Sequence, residues 1–244
     1  MLHRYDWSES SVILDLFTRE QGRLSVAAKG AKRPYSQLRS VLLPFQKINV
    51  NLGRAPKVDL NNLQASEVQN LRSAEWAGGS AMLTGAALFS GFYLNELLMK
   101  LMGRHDAQPV LFDAYALTLP WLASKDEAQV QAALRAFELR LLHELGVLPD
   151  LSVSTLTLQA VQIDSLYSVL PEAGVGQTRG ETDVPGSVLI DIEAALQHGS
   201  LPALQQACAP SLPELKTVLR GLLHYHLGSS VLRTRQVMQG LQQL

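Results

Sequence analysis

Ser11-Val12-Ile13-Leu14-Asp15-Leu16-Phe17-Thr18-Arg19-Glu20-Gln21-Gly22-Arg23-Leu24-Ser25-Val26-Ala27-Ala28-Lys29-Gly30-Ala31-Lys32-Arg33-Pro34 says more about this chain than any other segment. Its first run is β-branched and apolar, and Gly22 marks a turn. The second run sets Leu24, Val26 and Ala28 against Arg23, Ser25, Ala27 and Lys29, so one face is expected to be buried and the other wetted. Gly30 and Pro34 then bracket a loop that carries Lys32 and Arg33. A small sheet whose wet face and loops carry Arg and Lys suits a nucleic-acid backbone. A solvated hairpin with an ordinary basic loop is the alternative.

Charge distribution favours the first reading. The chain has 244 residues and a net charge of −1, which by itself does not suggest nucleic acid. Residues 1–57, however, hold ten Lys/Arg against Asp6, Glu9, Asp15 and Glu20, or +6, and the remainder carries −7. A basic head able to approach phosphate is thus joined to an acidic body. A chance excess of charge on a small β-domain is the competing explanation. With 47% hydrophobic and 18% charged residues, a sizeable soluble core is expected. No apolar run reaches the length of a membrane span, and no signal peptide is expected at Met1-Leu2-His3-Arg4. One cysteine, Cys208, permits neither an internal disulfide nor a cysteine-rich zinc site.

Working outward, short strands are expected at Leu2–Tyr5, Ser11–Thr18, Arg23–Lys29, Phe45–Leu52 and Asn61–Ala65, punctuated by Gly22, Gly30, Pro34, Pro44, Gly53 and Pro56. Five strands in so short a span predict a small closed barrel, and the five-stranded barrel that binds oligonucleotides is the OB-fold. After Glu67 the texture turns helical. Ala77–Gly103 is rich in small residues and reads as a buried helix, followed by Pro109–Leu122. Ser124-Lys125-Asp126-Glu127 has capping-box spacing and opens a third helix, in which Val130, Leu134, Phe137, Leu141 and Leu145 fall on one stripe. Leu151–Gly186 reads as a loop-rich insertion with two short strands. Helices follow over Ser187–His198, from Ser211 to about Leu227, and over Arg233–Leu241. The fold class is therefore α+β: an OB-fold over residues 1–68 and an α-helical domain over 69–244 with an insertion at about 151–186.

Catalytic signatures are missing from the sequence. His224 and His226 are two apart on a helix, which separates them by about 200° and denies them a shared metal. His143-Glu144 begins like a zincin helix, but Val147 occupies the place of the second histidine. Neither a Gly-x-Ser-x-Gly elbow nor a phosphate-binding Gly-x-x-x-x-Gly-Lys-Ser/Thr loop occurs. Cys208 beside Pro210 reads as a structural residue. The protein is not expected to be an enzyme or to use a cofactor. Arg233 and Arg235 stand at a helix start, where the dipole disfavours cations; phosphate is one candidate for what they meet, and a solvated or intramolecularly paired Arg is the alternative. Arg135, within Leu134-Arg135-Ala136-Phe137-Glu138-Leu139, is a candidate receptor for a carboxylate; a solvated or internally paired Arg is the alternative.

Several of these segments resemble one family. Ser8-Glu9-Ser10-Ser11, Leu14-Asp15-Leu16-Phe17-Thr18, Gly22-Arg23-Leu24, Ala28-Lys29-Gly30-Ala31 and Leu43-Pro44-Phe45-Gln46 resemble the N-terminal domain of the bacterial RecO family of DNA repair proteins. The resemblance continues in Ser90-Gly91-Phe92-Tyr93-Leu94-Asn95-Glu96-Leu97-Leu98, the Arg135 segment with Leu145-Gly146, Leu227-Gly228 and Leu232-Arg233-Thr234-Arg235. It covers nearly the whole chain except Leu151–Gly186. Members usually have several residues before the position of Leu2, so the first strand is expected to be cut short. Many carry a four-cysteine zinc site in the insertion; this chain has no cysteine there and resembles the zinc-free branch. The resemblance implies an OB-fold followed by a helical domain, and a cytoplasmic, nucleoid-associated recombination mediator. Such a protein binds single- and double-stranded DNA, anneals complementary strands and, with RecR, helps load RecA onto strands coated by single-stranded-DNA-binding protein (SSB). Implied partners are DNA, RecR and the acidic C-terminal tail of SSB. The DNA-binding candidates are Arg19, Arg23, Lys29, Lys32, Arg33, Arg39, Arg233 and Arg235; the tail-binding candidates are Arg135, Leu134, Phe137 and Leu141. Few aromatics in the head (Tyr5, Trp7, Phe17, Tyr35, Phe45) argue for holding the backbone over stacking on bases. A reading from another class is a protein-binding adaptor whose OB-fold is structural.

Overall fold

A computed structural model describes residues 1–54, 68–79, 82–178, 183–228, 232–234 and 237. The chain divides into two compact units, Met1–Leu119 with Leu232–Leu244, and Pro120–Val231.

The first unit is built on β1 (His3–Asp6), β2 (Val12–Thr18), β3 (Gly22–Ala28), β4 (Ile48–Leu52) and β5 (Val68–Trp76), with the single-turn α1 (Leu38–Val41) between β3 and β4. The strands form one sheet in the order β1-β2-β3-β5-β4, parallel only between β3 and β5. This is the OB-fold strand order. Among the described residues β1 and β4 remain as edges, so the sheet is unclosed where the sequence predicts a closed barrel. In the β2–β3 hairpin, Leu14 lies opposite Val26 and Leu16 opposite Leu24. These side chains join Val12, Ala28, Ala31, Leu42 and Leu71 in a dry core. The β2–β3 turn depends on Gly22, whose φ of +67° suits glycine; a Cβ there would stand 1.9 Å from the carbonyl oxygen of Asp106.

The fifth strand is not where the sequence suggests. Asn61–Ala65 lies outside the described residues, and β5 occupies a stretch that reads as the approach to a helix. Its Gln69, Asn70, Arg72, Ser73 and Glu75 conceal the strand, because only Leu71 is fully buried. Pairing with β3 and β4 overrides that weak local preference.

The hairpin's second face is also buried, contrary to the expected wet face. α2 (Gly85–Leu101) and α3 (Pro109–Trp121, through Leu119 in this unit) cover it. Phe17 packs edge-on against Phe112 and Tyr115, with centroids 5.4 and 6.2 Å apart. Asp15 is buried but satisfied: Ser25 Oγ donates to one oxygen at 2.6 Å and the Tyr5 hydroxyl to the other at 3.3 Å. Asn95 donates to the Leu2 carbonyl at 2.8 Å and accepts from the Tyr115 hydroxyl at 2.5 Å, tying both helices to the sheet. α2 starts at Gly85, well after the expected Ala77. The absent side chain at Gly91 admits Phe45 and Leu83; a Cβ there would lie within 2.9 Å of both.

The second unit contains α4 (Glu127–Glu144), β6 (Leu166–Leu170), β7 (Gly174–Gln177), β8 (Val184–Pro185), α5 (Gly186–His198), α6 (Leu201–Cys208) and α7 (Leu212–His226). α4 packs against α6 and α7, and α5 against α6. The N-cap of α4 is Asp126, whose side chain accepts from Ala128 N at 3.0 Å; Ser124, the expected cap, instead accepts from Asp126 N. Among its described residues the insertion holds three strands in the order β7-β6-β8, one more than expected. α6 has no counterpart in the sequence reading; Ser200 caps it, accepting from Ala203 N. Of the expected Arg233–Leu241 helix, most lies outside the described residues.

Candidate nucleic-acid interface

The chain between β3 and α1 is a built loop. Its turns are set by Arg33 N donating to Gly30 O (3.1 Å), Ser36 N to Arg33 O (3.0 Å) and Arg39 N to Ser36 O (3.2 Å). It is fastened to the β1–β2 turn: Lys32 N donates to Ser10 O at 3.0 Å, and Lys32 Nζ donates to Ser8 O at 2.9 Å while pairing with Asp6 at 2.8 Å. The hydrogen bond and charge of Lys32 hold the Asp6 carboxyl below its ordinary value. Lys32 is therefore a staple. Lys29, Arg33 and Arg39 stand exposed along the same segment.

The remaining cations divide differently from the expectation. Arg19 forks onto Asp113, Nε to Oδ1 at 3.1 Å and a terminal nitrogen to Oδ2 at 3.0 Å. Arg23 is half-buried and donates to the Met99 carbonyl; burial lowers its pKa, with the Asp15 charge opposing. Both are engaged internally, because the helices that cover the sheet bring their acceptors with them. Arg4, not among the expected site residues, is exposed on the edge strand β1. The amides of Arg233 and Thr234 donate to the Glu96 carboxylate at 2.8 and 3.0 Å, so a carboxylate of α2 meets this backbone. Burial pushes the Glu96 carboxyl up, but these amides, the Thr234 hydroxyl and Lys100 outweigh it and hold it low. The Arg233 side chain is exposed, and Arg235 lies outside the described residues.

The four expected tail-binding residues fall together on α4, but inward. Leu134, Phe137 and Leu141 are buried, and Arg135, 6% exposed, pairs with Glu138 at 3.0 Å. The stripe that makes α4 legible as a helix is the one its unit consumes as core. Cys208 is buried, and burial pushes its thiol up to about 12, which favours the neutral thiol and suits a packing residue.

A four-cysteine zinc centre does not fit this chain, because the 151–186 insertion contains no thiol. Hydrogen bonds order that segment: Thr155 N donates to Val175 O, Val175 N to Thr155 Oγ1, and Leu151 N to the buried Glu193 carboxylate. Elemental analysis of the purified protein is expected to find no stoichiometric zinc, and chelator to leave its melting temperature unchanged. One zinc per chain would overturn this account of the insertion.

The architecture defines a class: an OB-fold followed by an α-helical region, with a basic, solvent-exposed loop beside the sheet's first edge. Residues 1–72 match the family model Recombination protein O N terminal, and residues 82–236 match Recombination protein O C terminal. Proteins named DNA repair protein RecO from Polaromonas sp. and Polaromonas naphthalenivorans are each 48% identical over 247 residues, covering all of this chain and 95% of theirs. The protein of that name from Variovorax paradoxus is 46% identical over 255 residues, with the same coverage. The chain belongs to the RecO family. Among the described residues, no helix is long and apolar enough to cross a membrane.

Proposed function

We propose that this protein is a non-catalytic mediator of recombinational DNA repair, acting in the cytoplasm on nucleoid DNA. It binds single and double strands through phosphate contacts, anneals complementary strands and, with RecR, helps RecA load onto SSB-coated DNA. One observation carries the DNA-binding reading: a loop stapled by Lys32 holds Lys29 and Arg33 in solvent beside an OB-type sheet, with Arg39 exposed on α1 directly after it. Annealing needs no bond chemistry. Cations that neutralise phosphates reduce the repulsion between two strands and leave their bases free to search. RecR, RecA loading and the SSB tail are supported by family membership alone. A tail carboxylate at Arg135 would have to displace Glu138.

The second reading, an adaptor with a structural OB-fold, draws support from the helices that cover the outer face of β2 and β3. The test is annealing of two complementary labelled oligonucleotides. The mediator reading expects the protein to accelerate pairing, with the effect fading as salt rises. Pairing no faster than spontaneous would favour the adaptor.

A further inference from the structure

Few aromatics in the head suggest that bases are not stacked upon, but the structure separates those aromatics into two sets. Phe17 and Phe45 are buried in the first unit. Tyr5, Trp7 and Tyr35 are 42, 54 and 99% exposed. The exposed rings of Trp7 and Tyr35 stand on segments already fixed by backbone hydrogen bonds. Trp7 belongs to the β1–β2 turn, where its amide donates to Ser11 O. Tyr35 lies inside the turn closed by Ser36 N on Arg33 O. The Lys32 staple fastens these two turns to each other.

We propose that Trp7 and Tyr35 are base-stacking residues that make this interface prefer unpaired over paired strands. The inference rests on the DNA-binding reading above. Lys29 and Arg33 supply phosphate contacts, and these do not depend on whether a strand is paired. A stacking ring does depend on it. A duplex hides the faces of its bases against one another, whereas a single strand presents them. Cations and aromatic rings on adjoining, backbone-fixed turns thus match a flexible polyanion that carries aromatic faces. The same arrangement leaves the bases' pairing edges open, because stacking occupies the face and not the edge.

The test compares wild type, Trp7→Ala, Tyr35→Ala and Trp7→Phe, each as the full chain. Two labelled probes are titrated at one salt concentration: an oligothymidylate and a blunt duplex of the same length. Each alanine variant is expected to bind the oligothymidylate about tenfold more weakly while duplex affinity stays within about twofold. Trp7→Phe, which keeps a ring, is expected to retain most of the preference. Thermal melting checks that each variant folds; both side chains are exposed, so melting temperatures should match wild type. Equal losses on both probes, or no loss on either, would overturn the stacking assignment and leave phosphate binding standing. Wild type that binds neither probe would instead overturn the DNA-binding reading beneath it.

Discussion

Reversing the charge of Lys29, Arg33 and Arg39 together is expected to weaken binding to any DNA sequence, with similar losses for each. All three side chains are exposed, Lys29 and Arg33 on the fastened loop and Arg39 on α1 directly after it. If each neutralises one phosphate, the log–log salt slope for single strands should flatten by about 2, at ~0.7 per contact. Near ~0.1 M salt this corresponds to roughly a hundredfold lower affinity. The melting temperature should hold, because none of the three is a staple. Lys32→Glu should behave otherwise. It places a second carboxylate beside Asp6 and breaks the bond to Ser8 O, so the loop should loosen. Hydrogen exchange at the amides of Lys32 and Arg33 would report that loosening. Unchanged affinity in the folded triple variant would move DNA binding off this loop.

Glu138→Ala is expected to destabilise the second unit by about 3–5 kcal/mol, the usual cost of removing one member of a buried ion pair. Glu138 is 1% exposed and Arg135 6%, so neither charge has solvent to fall back on. Removing the carboxylate takes this ion-pair partner from a guanidinium whose Nε has no hydrogen-bond partner among the described residues. Arg135→Ala should destabilise as well, by leaving the Glu138 carboxylate buried without this cation. Converting both at once to apolar residues of similar size, Arg135→Met with Glu138→Leu, should recover most of the loss. Urea denaturation followed by circular dichroism measures all of these. An Arg135→Ala variant as stable as wild type would show that the pair is not held as described, and would restore Arg135 as a residue free to meet a partner.

How far the sequence could be read depended on whether a residue's fate was decided locally. The β2–β3 hairpin was legible because Leu14, Leu16, Leu24 and Val26 alternate about a glycine turn. The burial of its other face was not, because Ser25 and Ala27 look the same whether they meet water or a helix. Only the distant Asn95, Phe112 and Tyr115 settle the matter. β5 was hidden by its polar composition. α4 was legible as a helix, but the spacing of Arg135 and Glu138, three apart, reads equally as a surface pair and an internal one. At the interface, Lys32 and Lys29 were equivalent in sequence. Asp6 and Ser8, on the neighbouring turn, make one a staple and leave the other exposed. Exposure of Trp7 and Tyr35 carried no sequence signal, since aromatic residues in a small β-domain are ordinarily core.

The most direct measurement is the affinity of the wild-type chain for a labelled single-stranded oligonucleotide across a series of salt concentrations. A recombination mediator that holds phosphates through its basic loop is predicted to bind with an affinity that falls linearly on log–log axes as salt rises. The steepness should exceed that of the triple charge-reversal variant by about 2. No binding at low salt, or an affinity indifferent to salt, would contradict the account and leave the OB-fold as a structural support for protein partners.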